Sequence, residues 1–244
     1  MRHDTIKINH GNAQIVAHRG VSGLERENTC SAFVAAGNRS YFGIETDVRH
    51  TADGKYVLLH DNDTARCGIR PLAPELNTLN DIQAVRLKDM DGKLGRFDLR
   101  VPELVDYIRI LARYEKVGVL EFKGYFTEEQ CKDVVDIIKA EYTLDNMIFI
   151  SFGFDNLVNL RKVCPESHCQ YLTGDFKDEY VTLLKEHKMG IDIWSRAFEE
   201  DGEAKIKKLL DNGIEINVWT VDDKDLAEKL IGMGVQYITS NILE

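Results

Sequence analysis

The chain reads as an α/β protein, a (β/α)8 TIM barrel with a β-hairpin excursion after its second strand, on the strength of three observations. From residue 117 onward, six strand-like apolar runs recur with starts 20 to 30 residues apart, which leaves room for one helix in each gap. Two earlier runs, Ile15-Val16-Ala17 and Gly43-Ile44-Glu45-Thr46-Asp47-Val48, bring the parallel set to eight. The length of 244 residues also suits one closed barrel, since such barrels use about 250. No linker-like tract interrupts the chain, so residues 1–244 are expected to form one domain.

The elements follow in order. The first strand closes on His18-Arg19-Gly20, and Glu27-Asn28-Thr29 then precedes Cys30, Phe33 and Val34, the pattern of a helix N-terminus capped by Asn28 or Thr29. Glu27 also stands where it can position Arg19. After the second strand, the gap to Val57 is too short for a helix and holds Asp53-Gly54, a strong hairpin signal, so Tyr56 to His60 is expected to run antiparallel. A two-residue turn there pairs residue 52 with 55, and counting back along the ladder sets His60 opposite Asp47. Residues 62–100, with Pro71 and Pro74, read as an irregular short insertion carrying one short helix near Asn80 to Leu87. A helix follows from Glu103 to Tyr114, and Thr127-x-x-Gln130 is a capping box opening a helix with Cys131, Val134, Val135 and Ile138 on one face. Near the end, Gly213 suits a left-handed cap after Leu209 and Leu210, and Asp222 is expected to cap a helix running toward Gly232.

Composition narrows the function classes. A net charge of -10 with no sizeable basic block argues against nucleic acid or an anionic membrane as the main partner. Residues 1–14 lack the apolar stretch of a secretory signal, and no segment approaches the length of a membrane span. Five cysteines without C-x-x-C spacing suggest neither a disulfide framework nor a zinc site; Cys164 and Cys169, which bracket Pro165, are read as free thiols. A soluble protein of the reducing cytoplasm, acting on a small molecule, is the expectation.

The chemistry concentrates at strand ends. Charged groups closing apolar runs are costly unless solvated, paired or bound to metal. Glu45 and Asp47 share a face because side chains alternate along a strand, and so do Glu121 and Lys123 at the end of Val117-Gly118-Val119-Leu120. Glu45, Asp47 and Glu121 offer hard oxygens without thiolates, a ligand set for one divalent cation, calcium or magnesium. Three carboxylates around a dication leave one negative charge, which Arg19 and Lys123 turn to one positive, matched by a phosphodiester monoanion. Any single E-x-D or E-x-K pair is common on solvated edges, and a lone histidine is usually structural. Convergence of His18, Glu45, Asp47 and Glu121 on one end of one barrel is what favours a site. Phe152, Trp194 and Trp219, also at strand ends, are candidates to line a substrate pocket; Trp219 has the better case, whereas Phe152 and Trp194 read equally well as packing.

This ordered series, from His18-Arg19-Gly20 through Glu27-Asn28-Thr29, Glu45-x-Asp47, Asp53-Gly54, His60-Asp61 and Glu121-x-Lys123 to Val218-Trp219-Thr220-Val221 and the closing Gly234-Val235 to Asn241 segment, resembles the glycerophosphodiester phosphodiesterase family. Arg26 departs from that family, which commonly has proline before Glu-Asn-Thr. The resemblance implies the eightfold barrel, a divalent cation held by Glu45, Asp47 and Glu121, and two catalytic histidines, His18 as base and His60 as acid. Hydrolysis of glycerophosphodiesters to sn-glycerol 3-phosphate and an alcohol is the implied reaction, with Arg19 and Lys123 against the phosphoryl oxygens. Competing classes are another phosphodiesterase or lyase on a single-metal barrel, a sugar isomerase or aldolase, which has less need of both histidines with Arg19, and a barrel that only binds ligand.

Overall fold

The structure, a computed structural model, describes residues 3–244. Strands β1 (Gln14–Ala17), β2 (Gly43–His50) and β3 (Tyr56–Leu58) are followed by β4 (Val117–Phe122), β5 (Met147–Ser151), β6 (His168–Thr173), β7 (Gly190–Trp194), β8 (Ile216–Trp219) and β9 (Tyr237–Ser240). All but β3 run parallel in the order β1-β2-β4-β5-β6-β7-β8-β9, and β1 pairs with both β2 and β9 to close the barrel. Helices α1 (Cys30–Gly37), α2 (Leu79–Gln83), α3 (Leu104–Tyr114), α4 (Glu128–Glu141), α5 (Phe154–Val163), α6 (Asp178–His187), α7 (Gly202–Asp211) and α8 (Lys224–Gly232) fill the connections.

Each stave is buried on two faces, which is why its sequence reads as a nearly continuous apolar run. Val16, Val119, Ile148, Ile150 and Leu172 meet inside the barrel, while the other face of each strand packs against the helices in a larger core. Helix α3 shows how the periodicity works: Leu104, Tyr107, Ile108 and Leu111 lie on one buried stripe. Each such apolar side chain contributes about 1.5–3 kcal/mol by leaving water, and the buried Tyr107 hydroxyl is satisfied by donating to the Ile44 carbonyl at 2.7 Å. The capping box read at Thr127 and Gln130 opens α4 as expected.

Three local expectations are corrected. The hairpin pairs Val48 with Leu58, Arg49 with Val57 and His50 with Tyr56, one residue out of the register counted from a two-residue turn. Its loop is Ala52-Asp53-Gly54: Gly54, at φ 71°, donates to the Thr51 carbonyl, and Thr51 faces Lys55, a three-residue turn with glycine in the left-handed position. Leu59, not His60, therefore bonds the Asp47 carbonyl. Second, Asp223 caps α8 by accepting from the Leu226 amide, and Asp222 is used elsewhere. Third, α2 stops at Gln83, because the chain turns so that Leu87 can bridge to Gly68 inside a small satellite core including Val57, Ile82, Val85 and Leu99.

Among the described residues all five cysteines are free, and no helix is long and apolar enough to cross a membrane.

Candidate functional site

At the C-terminal ends of the staves, β2 and β4 lie in register with Asp47 beside Glu121, and Glu45 one pleat below. Ligand oxygens of Glu45, Asp47 and Glu121 all fall within 4.8 Å of one another, and all three residues are buried. Burial, reinforced by the Asp47 charge, pushes the Glu45 and Glu121 carboxyls up, Glu121 to about 8. Asp47 moves the other way: against its burial, the charges of Arg19, Lys123 and His60 hold it well below the ordinary carboxylate range. Lys123 Nζ lies 2.9 Å from Glu121 and 3.7 Å from Asp47, and Arg19 Nε is 3.5 Å from Asp47 Oδ2. Asp47 Oδ1 has no hydrogen-bond partner among the described residues. An all-oxygen trio with one orphaned oxygen and two carboxyls resisting ionisation fits a hard divalent cation.

The imidazoles flank this cluster. His18 follows β1, its Nε2 3.9 Å from Glu45 Oε2 and its Nδ1 2.7 Å from Asn241 Oδ1. Asn241 Nδ2 donates to Asp222 Oδ2 at 2.6 Å, which fixes its other atom as the amide oxygen, an acceptor only. His18 must then carry its proton on Nδ1 and present a bare Nε2 to the cavity. Burial first, and the Arg19 charge second, lower its pKa to about 4. Asp222, freed from capping α8, also accepts from the Asn241 amide and the Ser240 hydroxyl.

His60 lies beyond the last paired residue of β3, so the register slip does not turn it away. Arg49 grips the backbone here, donating to the carbonyls of Leu59 and His60 and to Asn62, with Glu75 on its other nitrogen. His60 Nδ1 sits 2.7 Å from Asp61 Oδ1, and Asp61 accepts from Arg66, which also clasps Glu27. Glu27 in turn accepts from Arg19 at 2.8 Å and, despite its burial, is held at about 2 by Arg66 and Arg19. Burial lowers the pKa of His60 too, opposed by the charge of Asp47.

Thr29, not Asn28, caps α1. Asn28 is buried in a left-handed conformation at φ 52° and donates to Asp47 Oδ2 at 2.7 Å while accepting from Thr46. Such strain in a non-glycine residue is held by its surroundings and concentrates at working sites; Arg19 next to it, at φ 53°, shares it. His18, Arg19, Glu45, His60 and Glu121 line one cavity of about 130 Å³ together with Phe152 and Trp219. Phe152 lies edge-on to Trp219 at 5.8 Å, and Trp194 stacks on Trp219 at 6.2 Å, backing that wall without lining the cavity itself. A larger groove of about 820 Å³ between α7 and α8 is lined by surface residues such as Glu199 and Lys207 and gathers no comparable chemistry.

Sequence reasoning placed the seven charged and imidazole groups and missed Asn28, Asn241 and Asp222. An Asn within Glu-Asn-Thr is indistinguishable from a cap until the strand opposite it is known.

A barrel with carboxylates, imidazoles and cations gathered at its C-terminal mouth belongs to the class of (β/α)8-barrel enzymes. The chain belongs to the glycerophosphoryl diester phosphodiesterase family, whose family model matches residues 18–243. A glycerophosphodiester phosphodiesterase of Caldanaerobacter subterraneus is 28% identical over 241 residues, covering 93% of each chain. The crystal structure of a glycerophosphodiester phosphodiesterase from Parabacteroides distasonis is 28% identical, with a TM-score of 0.77 over 94% of this chain and 93% of that one. An Oleispira antarctica phosphodiesterase, solved in complex with its product sn-glycerol-3-phosphate, shares the fold at TM-score 0.86 and 24% identity, over 93% of this chain and 92% of that one.

Proposed function

We propose that this enzyme hydrolyses glycerophosphodiesters to sn-glycerol 3-phosphate and an alcohol, with Glu45, Asp47 and Glu121 holding one divalent cation and His18 and His60 moving the protons. The observation that carries the proton assignment is the difference between the two Nδ1 partners. Both partners favour the imidazolium by accepting its Nδ1–H, but Asn241 is a neutral amide that chiefly orients His18, whereas Asp61 brings a carboxylate charge to His60. Burial lowers both imidazoles, His18 to about 4; a carboxylate hydrogen-bonded at Nδ1 opposes that fall at His60 alone, and this asymmetry makes His18 the base and His60 the acid.

When bound, the cation supplies charge that stabilises the phosphoryl oxygens in the transition state. Arg19 and Lys123 face the same space and add fixed positive charge there. His18 Nε2 accepts the proton of the attacking hydroxyl, whether water or the substrate's own 2-hydroxyl, as the bond to phosphorus forms. His60 Nε2–H gives a proton to the oxygen of the departing alcohol as its bond to phosphorus breaks. Phe152 and Trp219 offer apolar surface to the glycerol carbons. The family membership and the product named in the Oleispira complex support the substrate class.

The test is to incubate the purified protein with glycerophosphocholine and assay glycerol 3-phosphate. Release is expected with calcium or magnesium, loss on chelation, and recovery on adding the cation back. Full turnover in metal-free protein would overturn the role of the carboxylate trio, and choline phosphate in place of glycerol 3-phosphate would overturn the bond assignment.

A further inference from the structure

Asp192 sits at the middle of β7 between two core residues, Ile191 and Ile193, with its side chain turned into the barrel. It lines the same cavity as His18 and Glu121 and is 2% exposed. Its Oδ1 has no hydrogen-bond partner among the described residues, and the same is true of Trp219 Nε1. The two stand on adjacent staves: Asp192 pairs with Asn217, and Trp219 is the next inward residue above it. A buried polar atom left unpaired costs about 1–3 kcal/mol, and here two of them border one cavity.

Their chemistry selects a ligand. An indole N–H donates only, so its partner must accept, whereas an ammonium or quaternary amine cannot. Burial alone pushes the Asp192 carboxyl up to about 8, so near neutrality it is an acid that can both give and take a hydrogen bond. A hydroxyl satisfies both groups at once. The neighbours Ile150 and Leu172 are apolar, and a cavity of about 130 Å³ suits a three-carbon polyol better than a head group. In barrel order β7 stands four staves from β2, across from the carboxylate trio, so a chain anchored there by its phosphate reaches Asp192 with its far end.

We infer that Asp192, with the Trp219 indole N–H, binds the terminal hydroxyl of the substrate's glycerol and is the residue that selects a glycerol ester over its deoxy counterpart. This rests on the glycerophosphodiester reading above and adds the group that recognises the polyol.

The experiment compares kcat/KM on glycerophosphocholine with that on the propane-1,2-diol analogue, which keeps the hydroxyl beside the phosphoester and lacks the terminal one. The wild-type enzyme is expected to prefer the glycerol ester by about 10²-fold, since the analogue leaves both buried polar groups unpaired. In Asp192→Leu the ratio should fall toward one, and in Trp219→Phe, which keeps the ring and removes the N–H, by about tenfold. Asp192→Asn, which retains a donor and an acceptor, should keep most of the preference. Equal losses on both substrates in Asp192→Leu, or an Asn variant as indiscriminate as Leu, overturn the assignment. If the wild-type enzyme cleaves neither diester, the functional reading has failed instead. Calorimetry with glycerol 3-phosphate then decides the site by itself: weaker binding to Asp192→Leu than to wild type upholds it, and equal affinity overturns it.

Discussion

His18 and His60 are the same side chain in two settings, and their difference is measurable. An alkoxide leaving phosphorus needs a proton, whereas a nitrophenolate does not, so loss of a general acid matters only for the poor leaving group. His60→Ala is expected to lose about 10²- to 10⁴-fold on glycerophosphocholine and little on a glycerophosphoryl nitrophenyl ester, while His18→Ala loses on both. Steady-state rates on the two esters decide it; rescue of His18→Ala by the nitrophenyl ester would exchange the roles. The same scale shows what a lone chain can reveal. Glu45, Asp47, Glu121 and Lys123 were legible because each closes an apolar run and alternation then fixes its face. Asn241 and Asp222 were not, since each does its work through a contact more than a dozen residues away. Asp192 did leave a mark, a charge between two isoleucines of a buried strand, and was passed over for lying mid-strand and not at an end.

At the level of elements, the eight staves and their helices could be read because buried strands and amphipathic helices have distinct periods. Boundaries that depend on a turn could not: the same Asp53-Gly54 serves a two- or a three-residue loop, and only the ladder distinguishes them. Two glycines separate the demands of conformation from those of packing. Gly54 has a positive φ and open space where a Cβ would stand, so Gly54→Ala should cost about 1 kcal/mol for the left-handed backbone alone. Gly20, at φ 75° directly after Arg19, would place a Cβ 2.7 Å from the Ala32 backbone. Gly20→Ala adds overpacking to the backbone cost and is expected to lose about 3 kcal/mol or more. Urea denaturation of the two variants checks the order; equal losses would mean that α1 yields easily.

Over the whole molecule, the carboxylate trio links cation, proton and stability. Glu45 and Glu121 have pKa values raised on folding, so their contribution is fully present below the unfolded value of about 4.5 and is lost at higher pH, that of Glu121 as pH rises through about 8. Without a cation the fold is thus penalised at this site at mildly alkaline pH. A divalent cation bound there would remove that penalty, and it would compete with protons as it did so. At about 100 times its dissociation constant a ligand adds about 2.7 kcal/mol, which for a chain of this size is about 5–10 °C in Tm. The calcium-induced rise in Tm, followed by circular dichroism against a chelator control, is expected to be larger at pH 8 than at pH 5.5. A rise independent of pH, or one unchanged in the Glu45→Gln, Glu121→Gln double variant, would place the bound ion elsewhere.

The hydrogen bond from His18 to Asn241 spans nearly the entire chain, and this imposes an order in time. All three carboxylates belong to β2 and β4, which leave the ribosome early, whereas the group that orients the base arrives only with the segment after β9. The groups proposed to hold the cation are thus made well before the one that orients His18. On the proposed reading, the setting of the base is complete only when the ring closes.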